Sequence, residues 1–290
     1  MSHDACPLCG TTMLPWLTKG GRHLVRCPAC RLTSVREGLA TTADGVSIYE
    51  ANDGVFFSDG NEDYYLDETN SRNSRLKLKW VQRWVPAGAR LLDAGCNFGH
   101  FLREARAGYD ARGFDVSPQA VAWGQRRFGV SSFVASIYDL APALRGTFDA
   151  VTSWDVIEHL PDAPRALAAL RALLTPRGHL LLSTPDAGSL VARLLGRRWH
   201  YVDPVQHLAL FTRDNVARLL EAAGFDVLGF RSLGHHYRLR YVTARLRYLH
   251  ARGPLHWGAA LAERVLAPWL GASVYLQLGD VMLVAARRRD

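Results

Sequence analysis

The amino-acid sequence predicts an α/β fold, a parallel sheet covered by helices on both faces, with a small cysteine-bearing module ahead of it. Three observations point there. Beyond residue 90, short apolar runs alternate with helical stretches. A glycine turn, Gly95 to Gly99, joins the first of these runs to a helix, and an acid, Asp115, ends the next run. Four of the five cysteines fall near the N-terminus as two C-x2-C pairs. With 48% hydrophobic residues, a 290-residue chain can bury one large core and still carry an appendage.

Cys6 and Cys9 form the first pair, and Cys27 and Cys30 the second, with 17 residues between them. That spacing matches tetrahedral zinc sites. The start MSHDACPLCG has no apolar run behind a basic stretch, so no secretory signal is expected. Metal is therefore favoured over disulfides, and a cytoplasmic location is expected. Residues 1–36 read as a zinc ribbon too short for a core of its own. Zinc contributes ~10–16 kcal/mol to such folds, and four thiolates leave it no open position for catalysis.

Residues 37–74 read as a linker, rich in Gly, Asp, Asn and Tyr up to residue 70, and the main domain as 75–290. Leu76, Trp80, Val81 and Trp84 recur at helical spacing until Pro86-Ala87-Gly88 stops them. A strand at 90–94 leads to a helix at 98–107, with Phe101, Leu102 and Ala105 inward and Gly108 as its stop. A second strand at 111–115 precedes Ser117-Pro118, an N-cap and a first-turn proline, for a helix that Gly129 ends. Further strands fall at 132–135, 148–153 and 179–183. The helix 164–174 and a turn at 175–178 separate the last two. Thr212 caps a helix ending at Gly224, residues 225–231 make a sixth strand, and 281–286 close the sheet.

A long insertion, residues 232–278, separates those last two strands. From residue 232 onward nine arginines meet three acids, which accounts for most of the net charge of +8. Leu239, Val242, Leu246 and Leu249 form an apolar stripe, while Arg238, Arg245 and Arg252 share another face. A helix packed on the domain, a substrate lid, a homodimer contact and a peripheral membrane surface for anionic lipid are the readings open to it. The apolar stretch 255–278 is interrupted by Glu263, Arg264 and Pro268, so it is not expected to span a bilayer.

In LLDAGCNFGHF an acid ends a strand, glycines follow, and a helix begins, the arrangement that brings backbone N–H groups to a nucleotide. Asp115 lies where a carboxylate accepts both ribose hydroxyls. Asp93, two residues before Gly95, would repel a pyrophosphate and suits a cationic ligand.

These motifs resemble those of class I S-adenosylmethionine-dependent methyltransferases, the broad group acting on small molecules and glycans. GFDVSP is similar to the family's second motif, FDAVTSWDVIEHLPD to its strand-four block and LTPRGHLLLSTPD to its fifth-strand block. RRWHYVDPVQHLALFTRDNVARLLEAAGF is similar to the segment that follows in many members. The resemblance implies a Rossmann-like seven-stranded sheet and S-adenosylmethionine as cofactor. It implies cofactor contacts at Asp93, Gly95, Cys96, Asn97, Gly99, Asp115, Ser136, Ile137 and Trp154. Two residues depart from the pattern. Asn97 replaces the middle glycine, where asparagine tolerates a left-handed backbone, and Ser136 stands where an acid commonly meets the adenine.

Methyl transfer to a hydroxyl needs alignment and a base. His159 in WDVIEHL and His207 in VQHLALF are the candidates, with Tyr201 beside Trp199 and His200 as a third. Asp155-x-x-Glu158-His159 is similar to the metal site of ubiquinone-pathway O-methyltransferases, which implies a divalent ion at Asp155, Glu158 and His159. The expected acceptor is a small molecule or sugar unit, methylated on oxygen rather than carbon. A zinc-ribbon ribosomal-RNA base methyltransferase and a non-catalytic cofactor-binding module are the alternatives. Nucleic acid is not the expected partner, because the motif-bearing core is not conspicuously basic and the ribbon offers few aromatics for stacking.

Overall fold

The computed structural model describes residues 5–36, 68–240, 242–243, 258 and 264–290. Strands β1 (Leu14–Lys19), β2 (Arg22–Arg26) and β3 (Thr33–Val35) form an antiparallel ribbon. Its fourth strand, β9 (Ala209–Leu210), comes from far along the chain. Thr33 pairs with Leu210 and Ser34 with Ala209, so the ribbon is sewn onto the main domain. Leu24 and Val35 pack there with Trp199, Val202, Leu208 and Leu210. The buried Asn215 side chain reaches the Cys30 carbonyl at 2.9 Å.

The main sheet contains β4 (Arg90–Ala94), β5 (Asp110–Asp115), β6 (Ser131–Val134), β7 (Phe148–Trp154), β8 (Leu174–Pro185), β10 (Phe225–Ser232) and β13 (Val281–Arg288). Their order is β10-β13-β8-β7-β4-β5-β6. β4 lies beside β5 on one side and β7 on the other, so strand order reverses at β4 and opens a crevice at the carboxyl ends. Rather than closing an edge, β13 inserts antiparallel between β8 and β10. Its six buried residues, Val281 to Ala286, explain why the sequence there is a continuous apolar run.

Helix α1 (Glu68–Val81) starts inside the segment that reads as linker. Its first turns, ETNSRNSR, are polar, yet Thr69, Ser71 and Ser74 are buried. Polar residues packed inward concealed the helix from hydrophobic periodicity. Helix α2 (His100–Ala105) follows the glycine turn. In α3 (Pro118–Phe128), Ser117 accepts from the Ala120 N–H and Gly129 closes the C-terminus at φ 61°. Helix α4 (Ala163–Leu173) is capped by Asp162. The stretch Thr175-Pro176-Arg177-Gly178 is an irregularity within β8 rather than a turn before it. Pairing with β7 passes from Phe148 and Leu174 to Ala150 and His179, with Arg177 at φ 60°. Helices α5 (Leu190–Leu195) and α6 (Arg213–Ala222) follow, the latter opened by a reciprocal capping box between Thr212 and Asn215.

In the insertion, β11 (His235–Arg238) and β12 (Ser273–Leu276) form a two-stranded antiparallel sheet, with β11 beside α1. The Asn73 side chain clasps the His236 backbone through both its amide nitrogen, at 3.1 Å, and its oxygen, at 2.7 Å. Leu246, Leu249, Arg245 and Arg252 of the expected stripe lie outside the described residues. Among the described residues, no helix is long and apolar enough to cross a membrane.

Candidate active site and zinc centre

The four ribbon cysteines converge, with ligand atoms within 4.8 Å of one another. Cys6 Sγ lies 3.5 Å from Cys30 Sγ, and Cys9 Sγ 3.4 Å from Cys27 Sγ. Sulfurs at tetrahedral zinc sit roughly 3.8 Å apart, given zinc–sulfur bonds of about 2.3 Å. The knuckles supply the turns: Gly10 N–H donates to Cys6 O, Arg31 N–H to Cys27 O, and both residues adopt positive φ. The donor set and spacing fit a structural zinc ion.

At the carboxyl end of β4, the cofactor turn has Gly95 at φ 77°, Asn97 at 47° and Gly99 at 76°. A Cβ on Gly95 would lie 2.6 Å from Val156 Cγ2, and one on Gly99 2.7 Å from Val130 Cγ2. Asn97 does adopt the left-handed form, and its Oδ1 accepts from the Phe98 N–H at 2.7 Å. Asp115 Oδ2 accepts from the Asn97 N–H at 2.8 Å and Oδ1 from the Ser117 N–H at 3.0 Å. A carboxylate has about four acceptor positions, so Asp115 retains capacity for two ribose hydroxyls.

Asp93 is buried and accepts from Thr152 Oγ1 at 2.7 Å. Burial pushes its carboxyl up to about 7, against the pull of Thr152 and the Lys77 charge. A cationic ligand is the natural compensation for that carboxylate. Trp154 ends β7, buried against Phe101 at 5.2 Å, with an indole N–H that has no hydrogen-bond partner. Cys96 and Ile137, also expected at the cofactor, have buried side chains. Cys96 packs its thiol against Gly113, and Ile137 belongs to the main core. Ser136 Oγ accepts from the Tyr138 N–H at 3.2 Å and stabilises the turn after β6.

Beyond β7 the chain turns at Asp155, φ 57°, into a short 3-10 turn carrying Glu158 and His159. Asp155 accepts from Lys77 Nζ at 2.9 Å and Ser183 Oγ at 2.7 Å. Against the effect of burial, the Lys77 ammonium holds the Asp155 carboxyl down at about 2. Asp155 is thus committed to an ion pair, and the expected trio of Asp155, Glu158 and His159 does not assemble. His207 takes the third place. Donor atoms of Glu158, His159 and His207 lie within 4.8 Å of one another.

Glu158 is buried, accepts from Thr184 Oγ1 at 2.9 Å, and has its carboxyl raised to about 8 by burial and by the Asp155 charge. His159 Nδ1 meets the Gln206 carbonyl at 2.7 Å, and His207 Nδ1 the Tyr201 carbonyl at 2.8 Å. A carbonyl can only accept, so the Nδ1 atom that meets it carries the proton, which leaves the lone pair of His207 on Nε2; the His159 ring meets the Asp155 carbonyl as well. Burial lowers both imidazoles, His207 to about 4. The same three donors fit a divalent ion, because histidine ligands commonly fasten their other nitrogen to a carbonyl. Tyr201 is half-buried with its ring 5.6 Å from that of His207, and its phenol is raised by desolvation. Ser183 and Thr184, from the fifth-strand block, and Lys77, His235 and Tyr237, which no local motif marks, join this wall from distant elements.

A sheet whose strand order reverses at β4, an acid before its glycine turn and a second acid at the end of β5 define a class of protein, the S-adenosylmethionine-dependent methyltransferases. Residues 68–229 match the methyltransferase domain family, and the chain belongs to it. A ubiquinone biosynthesis O-methyltransferase of Xanthomonas axonopodis pv. citri is 35% identical over 172 residues, 51% of this chain and 71% of that protein. The fold is similar to that of an S-adenosylmethionine-dependent methyltransferase of Thermotoga maritima, with TM-score 0.54 and 15% identity, covering 84% of this chain and 100% of the other. It is also similar to the cyclase SpnF, with TM-score 0.51 and 23% identity over 74% of this chain and 80% of that one. The residues around Asp155, Glu158, His159 and His207 therefore carry the reading of chemistry, beyond the fold alone.

Proposed function

We propose that this enzyme transfers a methyl group to a hydroxyl oxygen of a small-molecule acceptor, with His207 and His159 as the proton-accepting pair. The observation that carries the reading is their shared geometry: both Nδ1 atoms are fastened to backbone carbonyls, and the His159 Nε2 atom stands 4.0 Å from Glu158 Oε1. The relatives named as ubiquinone biosynthesis O-methyltransferases support oxygen as the acceptor atom. The catalytic domain in this reading starts at α1, and residues 1–36 form the ribbon.

S-adenosylmethionine supplies a methyl group already activated by a sulfonium. Asp93 balances that charge, Asp115 takes the ribose hydroxyls, and Gly95, Asn97 and Gly99 let the backbone approach. The Trp154 indole N–H and Ser136 border the same crevice. His207 Nε2 takes the acceptor's proton; burial and the His159 charge oppose the imidazolium that forms, and the Tyr201 carbonyl and the Asp203 and Asp155 carboxylates offset part of that opposition. Tyr201 orients His207 through its carbonyl and lines the pocket with its ring. Glu158, His159 and His207 would also hold a divalent ion, whose chemistry is to lower the acceptor hydroxyl's pKa.

Incubation with labelled S-adenosylmethionine and a panel of phenols and glycosides tests the reading. Mass spectrometry is expected to find a product heavier by one CH2 unit, with its methyl on oxygen, and His207→Gln is expected to lose it. A carbon- or nitrogen-methylated product would refute the proposal.

A further inference from the structure

The loop that carries His207, residues 199–208, is gripped from three directions. At its far end the Val35 N–H of β3 donates to the Leu208 carbonyl, and the Leu208 N–H to the Glu158 carbonyl, both at 2.8 Å. In its middle, Lys19 Nζ of β1 donates to the Val202 carbonyl. The third hold is Asp280. Val281 pairs with Pro185, the last residue of β8, so Asp280 lies at the carboxyl end of that strand, where the crevice opens. Its backbone carbonyl accepts from the Asp186 N–H at 2.8 Å, and its carboxylate from the Trp199 indole N–H at 3.0 Å.

Both side chains of that last bond are buried, Asp280 at 4% exposure and Trp199 at 2%. An acid taken out of water costs stability unless it is paired, and an apolar side chain would fill the same space without that cost. What the acid gains is direction, because the bond selects one setting of the indole. In that setting the indole meets the Tyr201 ring edge-on, with centroids 5.3 Å apart and planes at 69°, while the His200 ring lies 4.2 Å from it. His200 Nε2 stands 3.7 Å from the same Asp280 oxygen, so the acid borders both neighbours of Tyr201. The Tyr201 carbonyl in turn accepts from the Asp203 N–H and from His207 Nδ1, each at 2.8 Å. Tyr201 is thus held by its ring and by its carbonyl, and the carbonyl decides which nitrogen of His207 keeps the proton.

We propose that Asp280 is a positioning residue for the reaction: through Trp199 it fixes Tyr201, and through the Tyr201 carbonyl it keeps the His207 lone pair on Nε2. Its effect on turnover rests on the reading of His207 as the proton acceptor; its hold on the His207 tautomer does not.

The test is nitrogen NMR of the full chain labelled at histidine, with His207→Gln assigning the signal, beside kinetics on the panel of phenols and glycosides. Wild-type His207 is expected as the Nδ1–H tautomer alone. Asp280→Ala leaves the indole without its acceptor and is expected to give a mixture of tautomers, with kcat lowered roughly 10- to 100-fold. Asp280→Asn keeps an oxygen that can accept the bond, and should restore the single tautomer and bring kcat within about threefold of wild type. Trp199→Phe keeps a ring and removes the donor, so it should repeat the effect of Asp280→Ala, and the double variant should lose no more than either single one. S-adenosylmethionine affinity by calorimetry should stay within about twofold throughout, which certifies the fold of the variants.

A single Nδ1–H tautomer in Asp280→Ala or in Trp199→Phe overturns the proposal. So does an Asp280→Asn enzyme as impaired as Asp280→Ala, which would assign the acid to the charge of His200. A mixture of tautomers with no loss of methyl transfer, or no hydroxyl methylated by wild type, overturns His207 as the base and leaves the hold of Asp280 on its ring standing.

Discussion

His159 and His207 face each other with ring centroids 5.0 Å apart, and each fastens Nδ1 to the carbonyl of a residue in the same loop, Gln206 or Tyr201. Two imidazoles so held cannot both become cations, since the first charge opposes the second. They act as a pair rather than as independent bases. His207→Gln and His159→Gln should each lower kcat by roughly 10²- to 10⁴-fold. The double variant should lose much less than the product of the two effects. Steady-state kinetics decide this, and fully multiplicative losses would mean independent roles.

Asp93 makes cofactor binding depend on pH. Its carboxyl titrates near 7 in the free protein, and a cationic ligand favours the ionised form. Affinity should therefore rise from about pH 5.5 to 7.5, with proton release on binding. Calorimetry in buffers of different ionisation enthalpy measures that release. Stability of the free protein runs the other way. The folded pKa lies above the unfolded value of 3.8, so the contribution of Asp93 is full below about pH 4 and fades as pH rises through about 7. Asp93→Asn should flatten both profiles.

Gly95 meets two demands, a φ of 77° and the approach of Val156. Gly95→Ala should weaken S-adenosylmethionine binding by roughly tenfold or more. Val156→Ala makes room for the methyl without relieving the backbone. The double variant should therefore recover only part of the affinity in calorimetry, and full recovery would place the whole defect in the side-chain clash.

Asn215 caps α6 and also holds the ribbon through the Cys30 carbonyl. Its removal leaves a buried acceptor unmet. Asn215→Ala should cost about 1–3 kcal/mol in urea unfolding. Zinc content should remain one ion per chain. Loss of zinc together with stability would show that the contact supports the metal site itself.

Local chemistry made much of this site legible. Asp93, the glycine turn and Asp115 are marked by charge and backbone demands that one short segment expresses, and the cysteine pairs by spacing alone. The acceptor wall was less readable. The grouping of Glu158 and His159 with His207 depends on β9 and the 3-10 turn meeting across the fold. Asp155 looked like a third ligand because no sequence pattern reveals Lys77, which lies on a helix whose polar start reads as linker. The pairing of β3 with β9 spans the chain and carries no periodic signal.

That pairing limits how far the ribbon can be treated as a separate unit. A zinc ribbon is usually regarded as a portable cassette, added to or removed from a neighbour without altering it. Here one strand of the ribbon's sheet is encoded some 170 residues downstream, at Ala209–Leu210. A chimera that swaps only the first 36 residues would inherit a mismatched seam against Trp199, Val202 and Leu208. Each part therefore constrains which substitutions the other can accept along that seam.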